Sequence, residues 1–154
     1  MLGGLTFGAK FVMSGLPNIE PVSLLLMLFA VTFGAKALFP MCIYIVLEIL
    51  IYGIQLWNIN YLYVWPIWVV IALSLRKTES PLLWAVIAAV FGLFFGLLCA
   101  PVYLFTGGVA FAVNWWLSGI PFDLLHCAGN FVMVLLLFAP LRKLLGRLYR
   151  KYIR

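Results

Sequence analysis

The sequence predicts an all-α integral membrane protein, a single transmembrane domain spanning residues 1–154 and built as a six-helix bundle with both termini in the cytoplasm. Three observations predict it. First, 67% of the residues are hydrophobic and only 9% are charged, where an ordinary soluble domain carries about 25%. A soluble fold of this length has too few polar side chains to cover its surface, whereas lipid is as apolar as leucine and needs no such cover. Second, the apolar residues form long continuous runs, and a helix crosses the hydrocarbon core with about 20 of them. Barrel strands would alternate instead. Third, the basic residues gather on one side of the predicted spans.

Six segments follow in order, separated by turn residues. The first runs from about Met1 to Leu16 and is short; Leu16-Pro17-Asn18 ends it. The second runs from Pro21 to Leu38, and the third from Pro40 to Ile54, with Phe39-Pro40 between them. Asn58-Ile59-Asn60 precedes the fourth, Tyr61 to Leu75. Thr78-Glu79-Ser80-Pro81 precedes the fifth, Leu82 to Phe105. Thr106-Gly107-Gly108 opens a long external loop to about residue 120, and the sixth span runs from Pro121 to Leu141.

Charge sets the orientation. Lys36 lies between spans two and three, and Arg76 and Lys77 lie between spans four and five. Arg142, Lys143, Arg147, Arg150, Lys151 and Arg154 follow span six. Nine of the ten basic residues therefore share one side if the spans number six. The positive-inside rule makes that side cytoplasmic. Residues 141–154 read as a basic tail that continues the last helix into the headgroup region and anchors it there. The net charge of +6 is thus a topology signal, and nucleic acid is not an expected partner.

Several chemistries are absent. There is no GxxxxGK[ST] phosphate cradle, and no HExxH, GxSxG or CxxC pattern. One histidine cannot make a multi-histidine metal site. Cys42, Cys99 and Cys127 have no metal or redox spacing and read as small buried hydrophobes. The N-terminus lacks a basic leader and a small-residue cleavage site, so no cleaved signal is expected. The chain therefore reads as a non-enzyme without metal or cofactor.

Polar residues inside spans are costly unless paired or turned to a cavity. Lys10, Glu48 and His126 all fall in the outer half of the membrane. Lys10 and Glu48 can form a structural ion pair, or face a polar substrate. Asp123, His126 and Asn130 recur at i, i+3 and i+7, on one helix face. That face serves either interhelical hydrogen bonding or an external cavity, and Asp123 can also complement its helix start. The external loops carry Trp57, Asn58, Asn60, Tyr61, Tyr63 and Trp65, then Asn114, Trp115 and Trp116. Interfacial aromatics are usual belt residues. Interleaved with asparagines, they also suit a pocket that stacks a flat heterocycle and bonds its edge. Asn18 and Glu20 can close such a pocket. Gly4 and Gly8, like Gly92 and Gly96, make GxxxG pairs suited to close helix contact.

Three stretches carry a family resemblance. Leu16-Pro17-Asn18-Ile19-Glu20-Pro21-Val22 resembles the first external loop of S components, the substrate-binding subunits of energy-coupling factor (ECF) vitamin transporters. Trp57-Asn58-Ile59-Asn60-Tyr61-Leu62-Tyr63-Val64-Trp65-Pro66 resembles their third-to-fourth span region. Gly119-Ile120-Pro121-Phe122-Asp123-Leu124-Leu125-His126, with Gly129-Asn130, resembles the start of their last span. The resemblance implies an external pocket, a membrane T subunit and two cytoplasmic ATPases as partners, and transport by toppling of the S component in the bilayer. In the family, small residues spaced four apart on the first helix dock the T subunit; Gly4 and Gly8 keep that spacing but not the alanines. The expected substrate site comprises Lys10, Glu48, Asn58, Asn60, Trp65, Trp115, Asp123, His126 and Asn130, and the expected ligand is a vitamin-like, flat heterocycle. The alternatives are a stand-alone channel or membrane assembly subunit, and an intramembrane enzyme using Glu48 and His126 as acid and base.

Overall fold

In the computed structural model, residues 1–16 and 19–152 are described, and most of these are helical, with no strand among them. The elements are α1 (Leu2–Val12), α2 (Val22–Phe33), a 3-10 turn (Gly34–Ala37), α3 (Leu38–Tyr52), α4 (Leu56–Ser74), α5 (Pro81–Leu93) and α6 (Phe95–Tyr152). Three helical stretches, Val22–Tyr52, Leu56–Ser74 and Pro81–Tyr152, are long and apolar enough to cross a membrane. Leu50, Ile51, Leu62, Phe105 and Leu136 are among many large apolar side chains on the exterior, a surface that suits lipid rather than water.

Glycine interrupts two of these stretches. Gly34 (φ 64°) and Gly108 (φ 78°) adopt left-handed backbone, which costs a residue without Cβ nothing. Contacts give the helix directions. Gly3 of α1 lies against Pro40 and Ile43 of α3, and Lys10 against Glu48, so α1 and α3 run parallel. Tyr44 and Tyr52 of α3 meet Trp65 and Trp57 of α4, an antiparallel pair. Ser23 and Phe33 of α2 meet Asn130 and Tyr149 of α6, so these run parallel. Gly92 lies against His126, and Trp84 against Phe138, so α5 is antiparallel to the part of α6 beyond Gly108.

The helix boundaries depart from the sequence expectation at four places, one of them inside the expected fifth span, Leu82 to Phe105, where Phe94 separates α5 from α6. The break after α2 falls at Gly34 instead of Phe39-Pro40, because Pro40 sits in the first turn of α3, where no N–H is needed. Asn58 and Asn60 belong to the first turns of α4. Residues 109–120, read as an external loop, are helical, and α6 continues through Pro121 and Pro140. A single left-handed glycine makes the turn there, and the following apolar run keeps its own hydrogen bonds. The basic tail does continue the last helix, to Tyr152. Cys99 is buried and Cys127 half-buried, but Cys42 is exposed on α3.

The core is aromatic and tightly packed. Trp65, Trp68 and Trp84 are fully buried. Trp68 stacks on Phe91 at 4.4 Å and donates its indole N–H to the Ser23 carbonyl at 2.8 Å. A Cβ on Gly92 would lie 2.8 Å from the His126 backbone, so glycine sets the α5–α6 separation at that crossing.

Candidate functional site

The last turns of α1 and α3 meet the start of α4, the chain entering α2, and the middle of α6 at one end of the bundle. Lys10 organises that end. Its ammonium donates to Glu48 Oε2 at 3.0 Å and to the Tyr61 hydroxyl at 3.2 Å, and lies 3.8 Å from Glu20 Oε2. The rings of Tyr44, Trp57 and Tyr61 surround it, with centroids 5.3–5.8 Å away, a distance at which aromatic faces attract a cation. Glu48 is fully buried. The structure therefore forms the Lys10–Glu48 pair and adds a second carboxylate to it. Glu20 lies between helices; burial pushes its carboxyl above its ordinary value, Lys10 opposes that shift, and Glu48 adds to it.

Beside this cluster is a cavity of about 290 Å³ lined by Lys10, Met13, Ser14, Glu20, Tyr61, Phe95 and His126. His126 is 2% exposed, and neither ring nitrogen has a hydrogen-bond partner among the described residues. Its ring lies edge-on to Phe95 at 4.8 Å. A second cavity of about 250 Å³ shares Tyr61 and Phe95 as walls and is closed by Trp57, Asn60, Tyr103, Trp115, Phe122 and Asp123, with Gly96, Cys99 and Gly119. Tyr103 and Trp115 stack there at 3.9 Å. One chamber is thus rich in ionisable groups and the other in rings.

The expected site residues divide by position. Lys10 and His126 line the polar chamber, and Asn60, Trp115 and Asp123 line the aromatic one. Glu48 stands behind Lys10. The other three lie in the frame. Asn58 accepts the Gln55 N–H at 2.6 Å in the capping box that starts α4. Trp65 is buried between Tyr61 and Phe95, at 5.5 and 5.6 Å. Asn130 donates to the Ala88 carbonyl at 3.1 Å and faces Ser23 Oγ at 3.4 Å.

Asp123 has a frame duty too. One residue, Phe94, separates α5 from α6, and Asp123 Oδ1 accepts the Gly96 N–H at 2.9 Å just beyond that break. It caps the part of α6 that precedes Gly108, not the part after Gly108 in which it lies. Asn18, named with Glu20 as closing the pocket, lies outside the described residues.

Tyr61, Phe95, Tyr103 and Phe122 complete the chambers without having been singled out as site residues. Tyr61 had a signal, its place in the Trp/Asn run. Phe95, in the apolar Phe94-Phe95 pair, had none. At the opposite end, Arg142 bonds the Thr78 carbonyl and pairs with Glu79 at 3.7 Å, and a groove runs between Val31 and Tyr149. Comparisons of the chain with protein-family models, with curated proteins and with solved structures find no match.

Proposed function

We propose that the chain is the substrate-binding membrane subunit of an ATP-driven importer, an S component of the ECF type. In this reading it is a multi-pass protein of a prokaryotic plasma membrane. It crosses six times, with α5 and the beginning of α6 forming the fifth pass and the rest of α6 the sixth, and both termini are cytoplasmic. The positive-inside distribution and the alternating helix directions support that count.

The observation that carries the reading is the pair of adjoining chambers at the end away from the basic tail. A charged cluster inside a helical bundle marks a ligand or ion path by default. Few polar groups set among apolar and aromatic walls is the usual composition of a small-molecule site. A vitamin-like molecule with a flat ring fits that composition: rings stack, while His126 and Asn60 meet polar edges. The chain has no ATP cradle of its own, so energy comes from partners, a membrane T subunit and two cytoplasmic ATPases. Gly4 and Gly8 of α1 have nothing within 4 Å of where a Cβ would stand, leaving that strip free for a partner helix.

Two measurements test the proposal. Mass spectrometry of small molecules retained by the purified chain should find a ring-bearing compound, and His126→Ala with Trp115→Ala should lose it. Co-expression with a T subunit and ATPases should give a stable complex. A chain that never enters such a complex is not an S component.

A further inference from the structure

The polar chamber holds two carboxylates and one ammonium. Lys10 has three N–H donors, and Glu48, Tyr61 and Glu20 stand at 3.0, 3.2 and 3.8 Å from its nitrogen. Two of those donors are hydrogen-bonded, and the side of the ammonium toward Glu20 borders the chamber. An anionic ligand that meets the ammonium there also meets the Glu20 carboxylate. The balance runs the other way: Glu20 and Glu48 together exceed Lys10 by one negative charge. An uncompensated charge in a low-dielectric interior is unfavourable and is relieved by a counter-charge or a proton. Burial already pushes the Glu20 carboxyl toward holding a proton.

The second observation is His126. It is almost wholly buried, lines the same chamber, and has both nitrogens unpartnered among the described residues. A neutral imidazole offers one donor and one acceptor, which suits a polar group on a ligand. The aromatic chamber lies across Tyr61 and Phe95.

We propose that the paired chambers take a monocationic heteroaromatic ligand, whose positive charge is met by the Glu20 carboxylate beside the Lys10–Glu48 pair. The ring occupies the aromatic chamber and the charged group faces Glu20. The charge balances either way: the cation offsets the ionised Glu20 carboxylate, or, where Glu20 holds a proton, that proton leaves to bulk water as the cation enters. No bond to carbon forms or breaks. The groups facing Glu20 are Lys10 from α1, Tyr44 and Glu48 from α3, Tyr61 from α4 and His126 from α6, with Asp123 and Cys99 in the adjoining chamber. This inference rests on the reading of the chain as a binding subunit and narrows its substrate class.

Three probes of nearly one shape separate the charge states: the N-methylnicotinamide cation, neutral nicotinamide and anionic nicotinate. Binding to the purified full chain is followed by tryptophan fluorescence between pH 4.5 and 8. The cation should bind about tenfold or more tighter than the neutral amide, and nicotinate weakest. Its affinity should rise by up to about tenfold per pH unit while a proton is released, then level off above the Glu20 pKa. Glu20→Gln sits outside the helices and keeps Lys10–Glu48; it should remove the pH slope and the preference for the cation. Equal or tighter binding of nicotinamide or nicotinate, or no binding of the cation, overturns the inference, as does a pH slope unchanged in Glu20→Gln. The importer reading is judged separately, by complex formation with the T subunit and ATPases, so the two can fail independently.

Discussion

Replacing Lys10 by methionine removes the only cation facing Glu48 among the described residues while keeping most of the side-chain volume. Unit charges 3.0 Å apart attract by about 5 kcal/mol at an effective dielectric near 20. Removing one partner of a buried pair costs about 3–5 kcal/mol, because the other charge stays buried and uncompensated. Glu48 is fully buried and Lys10 is 20% exposed, so solvent screens one partner slightly, and about 3 kcal/mol is expected for Lys10→Met. Glu48→Gln should cost less, about 1–2 kcal/mol, since Lys10 retains Glu20 and the Tyr61 hydroxyl. The double variant removes both charges, and should be about 2–3 kcal/mol more stable than the sum of the singles implies. Reversible unfolding by sodium dodecyl sulfate in mixed micelles, followed by tryptophan fluorescence, measures all four corners of the cycle. Effects that add to within about 0.5 kcal/mol would refute the idea that this pair is coupled and desolvated.

Other substitutions separate frame from site. Gly92→Ala should destabilise by about 1–3 kcal/mol, because the added carbon meets backbone instead of a movable side chain. Gly4→Ala faces open space and should stabilise the isolated chain by up to about 1 kcal/mol through helix propensity; the same unfolding assay ranks both. Asp123→Ala should cost about 1–3 kcal/mol by leaving the Gly96 N–H without its acceptor, whereas Asp123→Asn keeps an acceptor oxygen and should recover most of that. Asn58→Ala should lose about 1 kcal/mol of helix capping and leave ligand affinity unchanged, as measured by the fluorescence titration.

The helical class and the positions of the apolar stretches were legible because hydropathy needs no tertiary information. Of the boundaries expected at proline and glycine, Thr78-Glu79-Ser80-Pro81 and Thr106-Gly107-Gly108 coincide with breaks, while Phe39-Pro40 and Pro121 lie inside helices. At the Phe39-Pro40 and Thr106-Gly107-Gly108 regions the chain breaks at a glycine with positive φ, Gly34 and Gly108, and not at a proline. Proline inside a helix removes one N–H, and neighbouring helices absorb that loss in a tightly packed membrane bundle. Lys10, Glu48 and His126, expected at one depth, stand at the same end of the bundle. Depth along a helix carries no information on rotation about its axis. Asn58 and Asn60 are two residues apart at the same level, yet one caps α4 and the other lines a chamber. Phe95 was invisible for the same reason: nothing in an all-apolar run marks which ring turns toward a cavity.

The division between capping and lining gives the buried polar residues different evidential value. Asn130, Asp123 and Asn58 each use one polar atom to satisfy a backbone group or bind one helix to another, and Glu48 uses one oxygen for Lys10, so the fold accounts for that half of each side chain while the other buried polar atom has no partner among the described residues. Glu20 is not required by the Lys10–Glu48 pair, and His126 satisfies nothing among the described residues. A buried imidazole with two idle nitrogens is unfavourable for stability, and leucine or methionine would fill the volume between Phe95 and α5 without that cost. The residues that the fold explains least therefore stand together on the wall of one cavity. That conjunction, more than the count of polar side chains, makes the Glu20–His126 chamber the place where a ligand is recognised in the proposed importer.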